Sequence, residues 1–207
     1  MKEVNVTEAI VPIYCNGEFN GTGFIYNSYL ITAAHVVDKM DEVRYVYHGE
    51  SFILDNRVYC EQFGNAQDEL GMVRFNTLTE DLAIYKVGTE CHEITITDEM
   101  IEDGTASVLY GFHFFSENNI SLKHGSVEIC NSIDRVNPSQ QDYCMYCKIT
   151  ELDESFNIIK GYSGGPLLVG NKVVGMLFQE MAIEGYYHIM KAKHILDKIV
   201  SYEHNTN

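Results

Sequence analysis

The strongest constraint on the fold is a succession of short apolar or alternating runs broken by Gly, Asn and Asp. They fall at residues 9–14, 23–26, 29–32, 44–47, 51–54 and 82–87, then at 106–110, 125–129, 143–149, 166–169, 172–178 and 186–189. Period-two alternation turns one side of each run toward a core, and many such runs at this spacing predict an all-β sandwich or barrel. Asn27-Ser28 and Gly170-Asn171 read as tight hairpin turns. Helical pattern is scarce: a single turn over 33–40, and a terminal helix over 192–203 with Ile195, Leu196, Ile199 and Val200 on one face. The acidic, loop-like stretch 95–104 separates two halves of similar strand content, 1–98 and 99–207.

At 207 residues, 45% hydrophobic and 21% charged, the chain can bury a core and is not of the disordered class. Its formal net charge of −16 opposes binding to nucleic acid and to anionic membranes. No apolar run reaches the roughly 18–20 residues that span a bilayer. The first residues, Met1-Lys2-Glu3-Val4-Asn5-Val6-Thr7-Glu8, lack a basic region followed by an apolar stretch, so no signal peptide is expected. A cytoplasmic setting follows as the expectation, with reduced cysteines (Cys15, Cys60, Cys91, Cys130, Cys144, Cys147) and unused sequons at Asn5, Asn20 and Asn119.

Gly161-Tyr162-Ser163-Gly164-Gly165-Pro166 is the most specific string. A serine hydroxyl is a weak nucleophile at neutral pH and needs a base and a site for the developing oxyanion. Flanking glycines let the backbone turn sharply, present the hydroxyl and gather N–H groups in one concavity. Alone, the string also reads as a glycine turn between strands. Upstream, Gly21-Thr22-Gly23-Phe24-Ile25 precedes Leu30-Ile31-Thr32-Ala33-Ala34-His35-Val36-Val37, where His35 follows a strand behind two small alanines. In Glu80-Asp81-Leu82-Ala83-Ile84-Tyr85-Lys86-Val87 an acid precedes an alternating strand, where a carboxylate can be held rigidly against an imidazole.

Thr32-Ala33-Ala34-His35, Asp81-Leu82-Ala83 and Gly161-Tyr162-Ser163-Gly164-Gly165-Pro166 resemble the three catalytic segments of trypsin-like, chymotrypsin-fold serine peptidases, in that family's order. Gly21-Thr22-Gly23-Phe24-Ile25, Leu109-Tyr110-Gly111-Phe112, Gly125-Ser126-Val127 and Gly175 extend the likeness to compact HtrA-type domains of bacterial or viral kind. The resemblance implies two six-stranded antiparallel β-barrels with a C-terminal helix. It implies Ser163 as nucleophile, His35 as base, Asp81 rather than its neighbour Glu80 as the orienting acid, and the N–H groups of Gly161 and Ser163 as the oxyanion hole. No cofactor is implied, and the partner is a protein or peptide substrate, with room for a regulatory partner or fused domain. Two departures matter. Tyr162 replaces the aspartate that captures a new N-terminus in zymogen activation, so that route is not expected. Asn157 stands six before the serine, where trypsins carry an acid, so strict basic specificity is not implied. Ile158, Ile159, Phe178, Gln179, Glu180 and Gly185 would complete the S1 walls and rim, where Glu180 or Glu184 could draw a basic side chain. The lack of a PDZ-like extension departs from full-length HtrA proteins, and limited intracellular proteolysis is the expected role.

Three other readings compete. Gly161-x-Ser163-x-Gly165 also fits the nucleophile elbow of an esterase, but that elbow leads into a helix, whereas Pro166 and a strand-like run follow here. A catalytically silent binding module would keep the fold and lose the chemistry. Cys144-x-x-Cys147, with Cys130 or with Cys91 and His92, raises a zinc site, yet two residues three apart on a strand point to opposite faces.

Overall fold

A computed structural model describes residues 5–38, 41–61, 80–92, 94–116, 119–130, 143–151, 161–180 and 185–206. The first sheet holds β1 (Ile10–Cys15), β2 (Glu18–Thr32), β3 (Val43–Tyr47), β4 (Glu50–Ile53), β5 (Arg57–Glu61) and β6 (Leu82–Cys91), in the order β4-β3-β1-β2-β6-β5. The single helical turn α1 (Ala34–Val37) follows β2 directly.

The second sheet holds β7 (Thr95–Ile96), β8 (Ala106–Ser116), β9 (Asn119–Ile129), β10 (Cys144–Glu151), β11 (Pro166–Val169), β12 (Lys172–Glu180) and β13 (Tyr186–Lys191). Its order is β11-β8-β9-β10-β13-β12-β7, and an added β11–β12 pairing closes β8 to β13 into a ring of six antiparallel strands. The two-barrel architecture with a C-terminal helix is therefore as the sequence implies, with one addition. β7 pairs parallel to β12, through Lys172↔Thr95 and Val173↔Ile96, so the chain has joined the second sheet by residue 95.

The expected hairpin at Asn27-Ser28 is absent, and β2 runs unbroken for 15 residues. Its first part pairs with β1 and its last part with β6, so the strand must bend between two partners. Asn27, at φ 51, forms the irregularity that bends it; asparagine tolerates this left-handed conformation better than most residues. The hairpins instead fall at Asn16-Gly17 (φ 52 and 85) and His48-Gly49 (φ 49 and 80), the positive-φ pairs that suit a twisted two-residue connection. Gly170-Asn171 does join β11 to β12.

The terminal helix α2 (Ala192–Thr206) buries Ala192, Ile195 and Ile199, the i, i+3, i+7 stripe of one helical face. Val200, expected on that face, is 47% exposed, one residue outside the stripe. One apolar cluster runs from Ile13, Phe24, Leu30 and Ile84 of the first sheet through Tyr146, Met176, Phe178 and Met190 of the second to Ile195 and Ile199. The two barrels and the helix therefore share a core. A second cluster, around Leu109, Tyr162, Leu167 and Ile189, fills the closed barrel. No helix among the described residues is long and apolar enough to cross a membrane.

Candidate active site

His35 lies in α1, where Asn20 Nδ2 (2.6 Å) and Cys15 Sγ (3.1 Å) donate to the Val36 carbonyl and tie the turn to the β1–β2 hairpin. Asp81 precedes β6, the strand beside the last part of β2, and its side chain is fully buried. Its two carboxylate oxygens hold one residue. Oδ2 accepts from His35 Nδ1 at 2.5 Å, and Oδ1 accepts from the His35 backbone N–H at 2.9 Å. With Nδ1 directed at the carboxylate, Nε2 is the ring nitrogen that Asp81 does not engage. The His35 side chain is 42% exposed, while the Asp81 side chain that holds it is fully buried.

The Gly161–Gly165 loop packs against the same segment. Thr22 N–H donates to Ser163 O at 2.9 Å, and Gly164 N–H donates to Leu177 O at 2.8 Å. A Cβ at Gly164, which has φ +85, would collide with Thr22 O and Thr32 Oγ1 and fall 3.0 Å from Ala33 N. Only glycine lets the loop approach the residues leading into His35 this closely. Gly165 N–H donates to Tyr162 O at 2.8 Å, closing a tight turn around Ser163. Asp81 thus holds His35 directly, and the glycine turn that carries Ser163 packs on Thr22, Thr32 and Ala33, the residues that lead into His35.

Residues 21–176 match the family described as trypsin-like peptidase domain, which is most of the chain. The chain belongs to the trypsin-like peptidase family. No curated protein matches it in sequence. Among solved structures, the active form of the Rv3671c protease from M. tuberculosis is similar at 18% identity and a TM-score of 0.66, over 95% of this chain and 83% of that one. An HtrA-type protease, AlgW with a decapeptide, is similar at 17% identity and a TM-score of 0.65, over 90% of this chain and 52% of that one. A scabies mite inactivated protease paralogue is similar at 12% identity and a TM-score of 0.69, over 99% and 97%. At these identities the likeness carries the fold.

Around this trypsin-like site, Glu80 faces away from His35. Its carboxylate accepts from Tyr59 Oη and lies 2.9 Å from Lys198 Nζ and 3.1 Å from His194 Nε2, both on α2. Burial alone would raise the Glu80 carboxyl; hydrogen bonds from Tyr59, Lys198 and His194 outweigh it and hold the group below its usual range. Glu80 anchors the helix, and Asp81 meets the histidine.

Tyr162 is fully buried inside the closed barrel, its ring against Gly111. The position that carries a charge in zymogens is here part of a core. Of the residues expected around S1, Asn157, Ile158, Ile159 and Glu184 lie outside the described residues, as does the Glu180 side chain. Phe178 is 2% exposed and packs toward His188 (ring centroids 5.7 Å apart), so it belongs to the shared core and presents no surface to a substrate. This corrects its expected place in a pocket wall: strand alternation turns it to the inner side of β12. Gln179 and Gly185 are half-buried near the ends of β12 and β13, where Gln179 pairs with His188.

All six cysteines are free thiols. Cys144 belongs to the shared core and Cys147 to the closed-barrel core, on opposite faces of β10, so the two do not converge on one ion. Two residues escape a motif reading. Thr22 Oγ1 donates to Gly161 O at 2.6 Å, and the Phe19 ring lies against Gly161, with Phe114 stacked on it at 6.2 Å. Thr22 stands inside Gly21-Thr22-Gly23-Phe24-Ile25, but nothing in that string says what its hydroxyl meets.

Proposed function

We propose that the chain is a serine endopeptidase working through Ser163, His35 and Asp81. The observation that carries this is the His35–Asp81 hydrogen bond set against the Ser163 turn. Ser163 Oγ attacks the scissile carbonyl and passes its proton to His35 Nε2. Asp81, buried and held to Nδ1, stabilises the imidazolium and keeps the ring in place. The N–H groups of Gly161 and Ser163 receive the oxyanion. His35 then protonates the leaving amine, and water hydrolyses the acyl-enzyme by the same steps reversed.

A peptide substrate is the natural occupant of such a site, and an HtrA-type relative of the same fold has been solved with a decapeptide. We assign the oxyanion and base chemistry to the junction of two functional halves, 1–98 and 99–207. Asn157, Ile158, Gln179, Glu180 and Gly185 are proposed to bound the S1 pocket. The neutral Asn157 does not favour strict selection of Lys or Arg, while Glu180 or Glu184 at the rim could draw a basic side chain. The buried Tyr162 supports a site that is organised without capture of a new N-terminus. The net charge of −16 favours cationic partners over anionic ones, and limited intracellular proteolysis is the proposed role.

The similar inactivated paralogue means that fold alone does not separate an enzyme from a silent module. A fluorophosphonate probe does. Labelling of the wild type that disappears in Ser163→Ala and falls steeply in His35→Ala is the expected result. A folded wild type that takes no label would make the chain a binding module.

A further inference from the structure

Thr22 belongs to the first sheet, yet both partners of its hydroxyl, Gly161 and Phe112, lie in the second half of the chain. Its side chain is fully buried, and each of its polar groups is hydrogen-bonded. Oγ1 donates to Gly161 O at 2.6 Å and accepts from Phe112 N–H, on β8, at 2.9 Å. The backbone N–H donates to Ser163 O at 2.9 Å, and the carbonyl accepts from Thr32 Oγ1 at 2.7 Å. One residue therefore grips both carbonyls that flank Tyr162 and ties them to the strand leading toward His35.

The two expected oxyanion donors depend on different restraints. In a trans peptide the N–H points opposite to the C=O, and the chain has no cis bonds among the described residues. Tyr162 O is held by Gly165 N–H, so the Ser163 N–H of the same peptide is turned outward by the loop itself. The Gly161 N–H belongs to the preceding peptide, so its direction depends on the torsions of Gly161 itself. That residue stands at φ +99, in a region that glycine enters and leaves freely. Once the Gly161–Tyr162 peptide is fixed, the direction of the Gly161 N–H follows from the two torsions at Gly161. That peptide is fixed through its carbonyl, by the Thr22 hydroxyl.

We propose that Thr22 is a positioning residue of the oxyanion hole, its hydroxyl tethering the Gly161 carbonyl so that the Gly161 N–H stays aimed at the reacting carbonyl. The inference rests on the serine peptidase reading. Without the hydroxyl, Gly161 O and Phe112 N–H both lose their partner in a buried setting, and rotation of the Gly161 peptide is the simplest way to find new ones. The donor is then misaimed while His35, Asp81 and Ser163 stay where they are.

The test compares Thr22→Val, which keeps the shape, Thr22→Ala, which stands in if the first does not fold, and Thr22→Ser, which restores the hydroxyl. A fluorophosphonate–rhodamine probe gives the maximal inactivation rate and the half-saturating concentration. Diethyl pyrocarbonate modification of His35, mapped by mass spectrometry, reports the histidine's surroundings without using the hole. Removing an oxyanion donor outright costs about 10²–10³-fold, so misaiming one should slow maximal labelling by at least about tenfold in Val and Ala. Half-saturation and His35 modification should stay within about twofold, and Ser should recover the wild-type rate. Wild-type labelling in Val and Ala, Ser as slow as Val, or a parallel change in His35 modification would each overturn the proposal. A wild type that takes no label would overturn the peptidase reading instead, a distinct outcome.

Discussion

Lowering the pH should unfold this protein partly through one histidine far from its charged surface. His188 on β13 is 9% exposed, and its Nδ1 has no hydrogen-bond partner among the described residues. Tyr146 lies edge-on at 5.1 Å and Phe178 at 5.7 Å. This apolar burial pushes the His188 pKa down from 6.5 to about 4. The unfolded chain therefore binds a proton here below about pH 6.5, while the folded chain binds it only below about pH 4. Stability is complete above pH 6.5 and is lost as the pH falls through that window. At about 1.4 kcal/mol per pH unit the full loss is about 3 kcal/mol, and at pH 4.5 it is about 2.5 kcal/mol. Carboxylates titrate over the same range, so the quantity to measure is a difference. Urea unfolding of wild type and His188→Leu at pH 7.5 and pH 4.5 isolates it, because leucine cannot titrate and abandons no hydrogen bond. The variant should lose about 2–3 kcal/mol less than wild type between the two pH values. Equal losses in both proteins would refute a neutral, buried His188.

Three further perturbations separate structure from chemistry. Asp81→Asn should leave the fold intact and slow Ser163 labelling by about 10³–10⁴-fold, because the amide favours the wrong imidazole tautomer; a loss under tenfold would remove Asp81 from the mechanism. Glu80→Gln should lower stability by about 1–2 kcal/mol in thermal unfolding while labelling stays within threefold, since Glu80 holds α2 and not His35. Abolished labelling in folded Glu80→Gln would make Glu80 the acid. Gly111→Ala would place a Cβ 2.5 Å from the Tyr162 ring and 2.9 Å from its backbone, so a loss of about 1–3 kcal/mol and slower labelling are expected. Unchanged unfolding and labelling would show that Tyr162 does not brace the serine loop.

Much of this molecule is written in local pattern. Apolar runs such as residues 172–178 are strands with both faces covered, Val173, Met176 and Phe178 meeting the shared core and Val174 and Leu177 the closed-barrel core, and Gly170-Asn171 is a hairpin because its residues suit one. The bend at Asn27 is not local: β2 must satisfy β1 with one part and β6 with the other, and no string announces a strand with two partners. The same holds at the site. His35, Asp81 and Ser163 stand in recognisable segments, but the grip of Asp81 on both the ring and the backbone of His35 spans 46 residues of sequence. Thr22 meets Gly161 across 139 residues, so its role depends on how two barrels dock. Phe178 shows the opposite failure. Its place after the serine suggests a pocket wall, while the alternation of β12 turns it into the shared core.

The most direct test is to find where an acylating or sulfonylating reagent ends up. Wild-type protein treated with phenylmethanesulfonyl fluoride, digested and read by tandem mass spectrometry should carry one adduct, on Ser163, and lose peptide hydrolysis in step with its formation. The adduct should vanish in Ser163→Ala. An adduct on another residue, or hydrolysis that survives in Ser163→Ala, would contradict a peptidase built on Ser163, His35 and Asp81.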